Sequence, residues 1–286
     1  MKHYEYQIFV PGGNKTALVL GIDGLEDDFR LRKNIQDMIL EKHKNDEDGE
    51  VEQVGFVSMG SSAPRLIMTG GEFCGNATRS AAMYYCLTRE CKEVEITVSG
   101  TSRPLKAGAN SSSEAWAQMP VHDDLVSAIT TTGSGLYWVT IEGISHLIVP
   151  QMQSVHCLSE IFKCDNKSEQ IDIALSFLRK ATDGNSLARG KACGIIFLEN
   201  IADSLKMHPF VSIETSGTAY YETGCGSGAI CVGLVSSMLH GDSISIPLLQ
   251  PSGKIIKAEV KRHANGKVEG RISGCIEIGK IYEEKC

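Results

Sequence analysis

The feature that most constrains this chain is a motif that occurs twice. Cys74-Gly75-Asn76 and Cys225-Gly226-Ser227-Gly228 lie 151 residues apart, about half of the 286-residue sequence. Each leads into a run of small and apolar residues with helical character, from about Ala77 to Leu87 and from about Ala229 to Leu239. The elements before each motif also come in the same order. In the first half, Tyr6 to Leu20 reads as two strands broken by a Pro11-Gly12-Gly13 turn. Phe29, Leu31, Ile35, Met38 and Ile39 then mark a helix between Leu25 and His43, and strand-like runs follow at Gln53 to Met59 and Arg65 to Thr69. In the second half, Leu136 to Pro150 reads as two strands broken at Gly143. A helix is expected over Ser168 to Ala181, with strands at Cys193 to Leu198 and Phe210 to Glu214.

A chain that repeats one order of elements is expected to fold as two similar α/β (α+β) units, joined near Pro120 to Asp124. The last strand, around Ile276 to Tyr282, is expected to cross back to the first unit, because chain ends tend to meet. The expected domains are therefore residues 1–121 plus about 275–286, carrying Cys74, and residues 122–274, carrying Cys225.

The paired motif also suggests a chemistry. The first turn of a helix has amide groups with no internal partner, and the helix dipole makes that end attractive to anions. Glycine beside the cysteine lets backbone approach a ligand closely. Each motif thus offers a thiol next to a carboxylate-sized anion hole, with the thiol expected below its usual pKa of about 8.5. Two such motifs facing one cleft could hold an α-carboxylate between them. One sulfur, as thiolate, would remove the α-proton from one face while the other, as thiol, delivered a proton to the opposite face. A single Cys-Gly is more readily read as a buried thiol at a tight turn; the pairing turns the argument towards catalysis by Cys74 and Cys225.

Charge and cysteine usage narrow the class. The net charge of −7 and pI near 5.7 provide no basic face for nucleic acid. No apolar run reaches the roughly 18 residues of a membrane span, and the N-terminus lacks a signal-peptide core, so a cytoplasmic protein is expected. The ten cysteines include no C-x-x-C, which disfavours a zinc ribbon or thioredoxin-type site. The cysteines other than Cys74 and Cys225 are expected to be mostly buried structural thiols. No metal site and no cofactor are expected. The expected partner is a small amino-acid substrate; a homodimer stays open.

GGEFCGNATRS and ETGCGSGAICVG resemble the two active-site signatures of the diaminopimelate epimerase superfamily, racemases and epimerases that use two cysteines and no pyridoxal phosphate. The resemblance covers nearly the whole chain in order of elements and is specific at the two motifs. It implies two pseudo-symmetric domains, each a mostly antiparallel sheet wrapped around a central helix, with the site between them. Within that superfamily PGGNKTALV, VEQVGF, GEFCGNAT, ETGCGSG and LLQPSGKI are similar to the histidine racemases of staphylopine-type metallophore pathways. The resemblance implies substrate contacts for Asn14 and Gln53, and backbone or side-chain contacts from Gly75, Asn76, Gly226 and Ser227. His146, in GISHLIVP, sits where diaminopimelate epimerases carry a Gly-Asn-Pro-His run.

The chain departs from the diaminopimelate epimerase pattern at the residues that hold the substrate's distal carboxylate. The Glu-Arg pair expected before the second cysteine is replaced by Thr215-Ser216-Gly217, and no arginine occurs between Arg189 and Cys225. A buried carboxylate without a cationic partner is costly, so a substrate with a second amino-acid head is disfavoured. Glu222 is expected either to accept a hydrogen bond from a polar substrate side chain such as imidazole or to be a solvated loop carboxylate. Asn14 and Gln53, taken without the resemblance, could simply satisfy turn backbone. His146 could be a buried, hydrogen-bonded histidine among apolar neighbours. The alternatives to a histidine racemase are a diaminopimelate epimerase, a proline-racemase-like enzyme, and, outside enzymes, an amino-acid-binding or thiol redox protein.

Overall fold

The computed structural model describes residues 3–21, 28–58, 63–181 and 192–285. Two helices sit at the centre of the molecule: α2 (Gly75–Thr88) and α6 (Gly226–His240). Every residue of α2 from Gly75 to Cys86 is buried, as is nearly all of α6 from Gly226 to Val235. Gly, Ala, Ser and Thr on these helices let strands close in from several sides, and a helix covered all round has no polar face to show.

Around α2 lie β1 (His3–Pro11), β2 (Lys15–Leu20), β3 (Val51–Val57), β4 (Arg65–Met68), β5 (Glu93–Val98), β6 (Leu105–Ser111) and β7 (Glu114–Met119). They pair in chain order, and β16 (Val268–Lys285) joins β7 to β1, so eight strands close a ring. Closure leaves no free edge in this half. Alternation of side chains puts one face of each strand on α2; β5 shows it most cleanly, its residues exposed and buried in turn.

Around α6 the pairing repeats. β9 (Tyr137–Ile141) and β10 (Ile144–Val149) are antiparallel, as are β1 and β2. β10 runs parallel to β11 (Ala192–Ile201), as β2 does to β3. β11 is antiparallel to β12 (Ser204–Ile213), which runs parallel to β14 (Ile244–Leu249), as β4 does to β5. β14, β15 (Ile255–Arg262) and β16 complete the order, and β8 (Ile129–Thr131) ends it beyond β9. The short α3 (Leu125–Ala128) leads into β8.

Outer helices differ between the halves. α1 (Phe29–Lys42) covers β3, with Asp28 capping its N-terminus through Leu31 N at 2.9 Å. The first residues of the helix expected from Leu25 lie outside the described residues. In the second half α5 (Lys167–Ala181) is joined by α4 (Gln151–Ile161), which the sequence reading did not place, and β13 (Thr218–Tyr221) adds to β12. α4 buries only Ser154, Leu158 and Ile161, a stripe too narrow to show as a strong apolar period.

Candidate active site

Both cysteines of the repeated motif are helix N-caps. Cys74 has φ −134° and ψ 114°, and Cys225 has φ −123° and ψ 108°. Each sulfur takes the place of a capping oxygen, accepting from the third residue on: Ala77 N at 3.4 Å and Gly228 N at 3.3 Å. Gly75 and Asn76, and likewise Gly226 and Ser227, then carry amides with no acceptor inside their helix. The two helix starts abut. A methyl group on Gly226 would fall 3.2 Å from Asn76 Oδ1, so glycine is what allows this approach.

Cys74, Gly75, Asn76, Cys225, Gly226 and Ser227 all line one cavity of about 590 Å³ including its mouth. The rest of its wall holds three kinds of residue. Phe73, Met68, Val54, Ile144, Val211 and Ile213 are apolar, while Gln36, Gln53, Ser216, Thr218 and Tyr220 offer polar groups. Among the described residues, the only charged ones on the wall are carboxyls, Glu52, Glu72 and Glu222, with no lysine, arginine or histidine. Among the described residues, no group of three or more His, Cys, Asp or Glu side chains is placed to hold a metal ion.

A line of hydrogen bonds runs from the Cys74 thiol to Glu222. Cys74 Sγ donates to Gln53 Oε1 at 2.8 Å, and Gln53 Nε2 donates to Glu222 Oε1 at 2.8 Å. The Glu222 carboxylate in turn acts on the Cys225 thiol, raising its pKa. On its other side Cys225 Sγ lies 3.5 Å from Ser227 Oγ, which is 2.9 Å from His146 Nε2.

These surroundings overturn the expectation of low thiol pKa values. Burial pushes Cys74 up to about 12, with the Glu222 and Glu72 charges adding to it. Burial and Glu222 push Cys225 well above the ordinary value. The helix-end amides do lower both, but the loss of water outweighs them. Glu222 is no solvated loop carboxylate: it is 5 % exposed, and burial raises it to about 7 against the pull of Cys225 and Gln53.

Two of the residues expected to contact substrate stand behind the wall. Asn14 is fully buried; its Nδ2 donates to Glu52 Oε2 at 2.7 Å, and Thr16 Oγ1 donates to its Oδ1 at 2.9 Å. His146 is fully buried behind Ser227, and burial holds its pKa down at about 3, so it is neutral. The Asn76 side chain is occupied too: Nδ2 donates to Gly224 O at 2.6 Å, tying the first helix start to the loop before Cys225.

Glu52 is one of the wall residues that the sequence reading missed, with Gln36, Glu72, Thr218 and Tyr220. It accepts from Asn14, from Thr223 N at 3.3 Å and from Thr223 Oγ1, and burial together with Glu222 raises it to about 8. Strict alternation would send Glu52 and Gln53 to opposite faces of β3. Both reach the cavity because the β2–β3 register slips: Lys15 pairs with Val51 and Thr16 with Gln53, leaving Glu52 as the extra residue of a bulge. The one sequence signal was an acidic residue inside an otherwise buried strand.

The nine described cysteines are all free. Cys86 and Cys231 are buried as expected, but Cys91, Cys157, Cys164, Cys193 and Cys275 are only partly covered, lying on β11 and β16, in turns and on α4. Cys286 lies outside the described residues. No helix among the described residues is long and apolar enough to cross a membrane.

A family model described as the histidine racemase CntK N-terminal domain matches residues 7–282. The chain belongs to that family. A histidine racemase of Fusobacterium nucleatum subsp. nucleatum is 28% identical over 282 residues, covering 94% of this chain and 95% of that protein. A histidine racemase of Staphylococcus aureus is 23% identical over 294 residues, covering 98% of each. Among solved structures, a hydroxyproline epimerase from Agrobacterium vitis superposes with a TM-score of 0.64 at 12% identity, over 98% of this chain and 92% of that one. A Bacillus anthracis phenazine biosynthesis protein of the PhzF family gives 0.63 at 14%, over the whole of both chains. At these identities the two structures speak for the mixed α/β fold alone.

Proposed function

We propose that this chain is a cofactor-independent histidine racemase that inverts the α-carbon with Cys74 and Cys225 as its two bases. One observation carries the reading: two cysteine N-caps of matching backbone geometry open onto a single cavity whose wall, among the described residues, has carboxyls but no cation. The amides of Gly75, Asn76, Gly226 and Ser227 hold the substrate carboxylate, and their positive ends stabilise the charge that builds there as the α-proton leaves. The carboxyl-lined remainder takes the ammonium and a polar or cationic side chain. It rejects a second carboxylate, which sets histidine above diaminopimelate.

In the resting site both sulfurs hold protons. Glu222, raised only to about 7, takes the Cys225 proton, so that a thiolate and a carboxylic acid replace a thiol and a carboxylate. The arriving ammonium offsets the new anion. Cys225 then removes the α-proton from one face while Cys74 delivers its own to the other, leaving thiol and thiolate exchanged. Glu222 is thereby drawn into proton transfer, and imidazole recognition falls to the acidic wall as a whole. Asn14 supports Glu52, and His146 orients Ser227, each from behind.

The same reading divides the chain into residues 1–121 plus about 275–286 and residues 122–274, with each central helix wrapped by its own strands. Support comes from β16, which pairs with β15 up to Gly274 and with β1 from Ile276 onward. The relatives' activity is consistent with a supply of D-histidine for a metallophore, made in the cytoplasm.

Reduced protein in D2O with L-histidine and no pyridoxal phosphate tests the reaction. D-histidine carrying one α-deuteron is expected. Turnover of diaminopimelate alone would keep the two-thiol chemistry and remove the substrate assignment; no exchange with any amino acid would remove both.

A further inference from the structure

Arg79 is a fully buried arginine one turn along α2 from Asn76. Its Nη2 donates to Asn76 Oδ1 at 2.8 Å, while Nε and Nη1 have no hydrogen-bond partner. No carboxylate among the described residues lies within ion-pair distance; Glu114 acts on it only at longer range. Its surroundings are the Gly12 turn and the Gly274 stretch of β16. A methyl group on Gly274 would come within 3.1 Å of Nη1, so the guanidinium fills the space that glycine leaves.

A cation out of water without a counter-ion is expensive, and apolar residues of similar volume would fill that space more cheaply. Its cost needs a return. The return on the page is the line Arg79–Asn76–Gly224, which ends at the peptide before Cys225. A charged donor on Oδ1 polarises the Asn76 amide and strengthens what Nδ2 gives to Gly224. The same positive charge lies behind the two abutting helix starts, where low dielectric lets it act over distance.

We infer that Arg79 is a positioning residue for the α-proton transfer: an unpaired buried cation that fixes the two helix starts together and supports, without touching it, the negative charge that forms between them. This rests on the two-thiol reading of the site. Substrate and product are equally charged, so the effect belongs to the transition state and shows in kcat, not KM.

The test compares Arg79→Met, Arg79→Gln and Arg79→Lys by steady-state racemisation of L-histidine, with circular dichroism and thermal melting of each. The neutral variants are expected to lose about tenfold or more in kcat with KM held within about twofold, and Lys to stay within about threefold of wild type. A folded neutral variant with wild-type kcat overturns the inference, as does a loss confined to KM. So does a Lys variant as impaired as Met, which would make shape the only role. Should neither neutral variant fold, Lys decides alone: a Lys protein with wild-type melting but more than about tenfold lower kcat also overturns it. If wild-type protein turns over no histidine but does turn over another amino acid, the same comparison is made with that substrate. The histidine assignment then fails separately from the role of Arg79.

Discussion

The two cysteine ends of this molecule have the same backbone and different company. Cys74 and Cys225 cap their helices with φ and ψ values that nearly coincide, and each sulfur takes the amide three residues on. Yet the Cys74 thiol gives its proton to a neutral amide, Gln53, while Cys225 faces the carboxylate of Glu222 and, through Ser227, a neutral His146. On the proposed reading, the duplicated backbone makes a near-symmetric hole for a carboxylate. The unduplicated partners decide where protons rest. A helix terminus by itself therefore does not set a thiol's proton affinity; water loss and the nearest charge do.

The comparison is most sharply broken by removing one end at a time. Cys74→Ser and Cys225→Ser are each expected to lower racemisation by about a thousandfold. Each should retain α-deuterium exchange with at most one enantiomer of histidine, and the two variants should retain opposite ones. Exchange of both enantiomers by either variant would dissolve the two-base scheme.

Next in size is Glu222→Gln, with about a hundredfold loss of kcat/KM expected because Cys225 loses its proton acceptor. Only ionised Glu222 can accept that proton, so wild-type kcat/KM should rise with pH through about 7. The pH profile of the Gln variant should lack that limb; a limb that persists would assign it to another group.

Glu52 offers a stability test. Its folded pKa of about 8 exceeds that of a free carboxyl, so the folded state binds a proton that the unfolded chain has released. Stability is therefore expected to fall as pH rises from about 4.5 to 8, and Glu52→Gln should flatten the slope. Melting curves at pH 5 and pH 8 check this: the variant should gain on wild type at pH 8.

The smallest effect is expected from His146→Gln, about five-fold in kcat/KM, through the loss of one hydrogen bond to Ser227. Because His146 is already neutral, its removal should leave the pH profile between 5 and 9 unchanged.

Much of this was legible in the residues. The turn at Gly12-Gly13, the pairing of β9 with β10 around Gly143 and both central helices follow from periodicity and glycine placement. What periodicity could not reach depends on long-range contacts. The bulge that turns Glu52 inward is set by register with β2, and Glu222 is hydrogen-bonded by Gln53, 169 residues away in sequence. Asn14 and His146 carried the right residue types for a site, but both are buried behind the wall, Asn14 held by Glu52 and Thr16 and His146 Nε2 by Ser227. The thiol shifts ran opposite to the local argument because a motif shows its dipole and hides how deeply it lies.

The 18-residue strand β16 has a consequence for biosynthesis. The ring of strands around α2 closes only when Ile276 to Lys285 pair with β1, so the first half depends on a segment translated after the second half. During synthesis at roughly 5–20 residues per second, β1 and β7 wait with open edges for many seconds while the second half emerges. The first half thus cannot mature vectorially ahead of the second; the two cysteine-bearing ends are completed by one late zippering event.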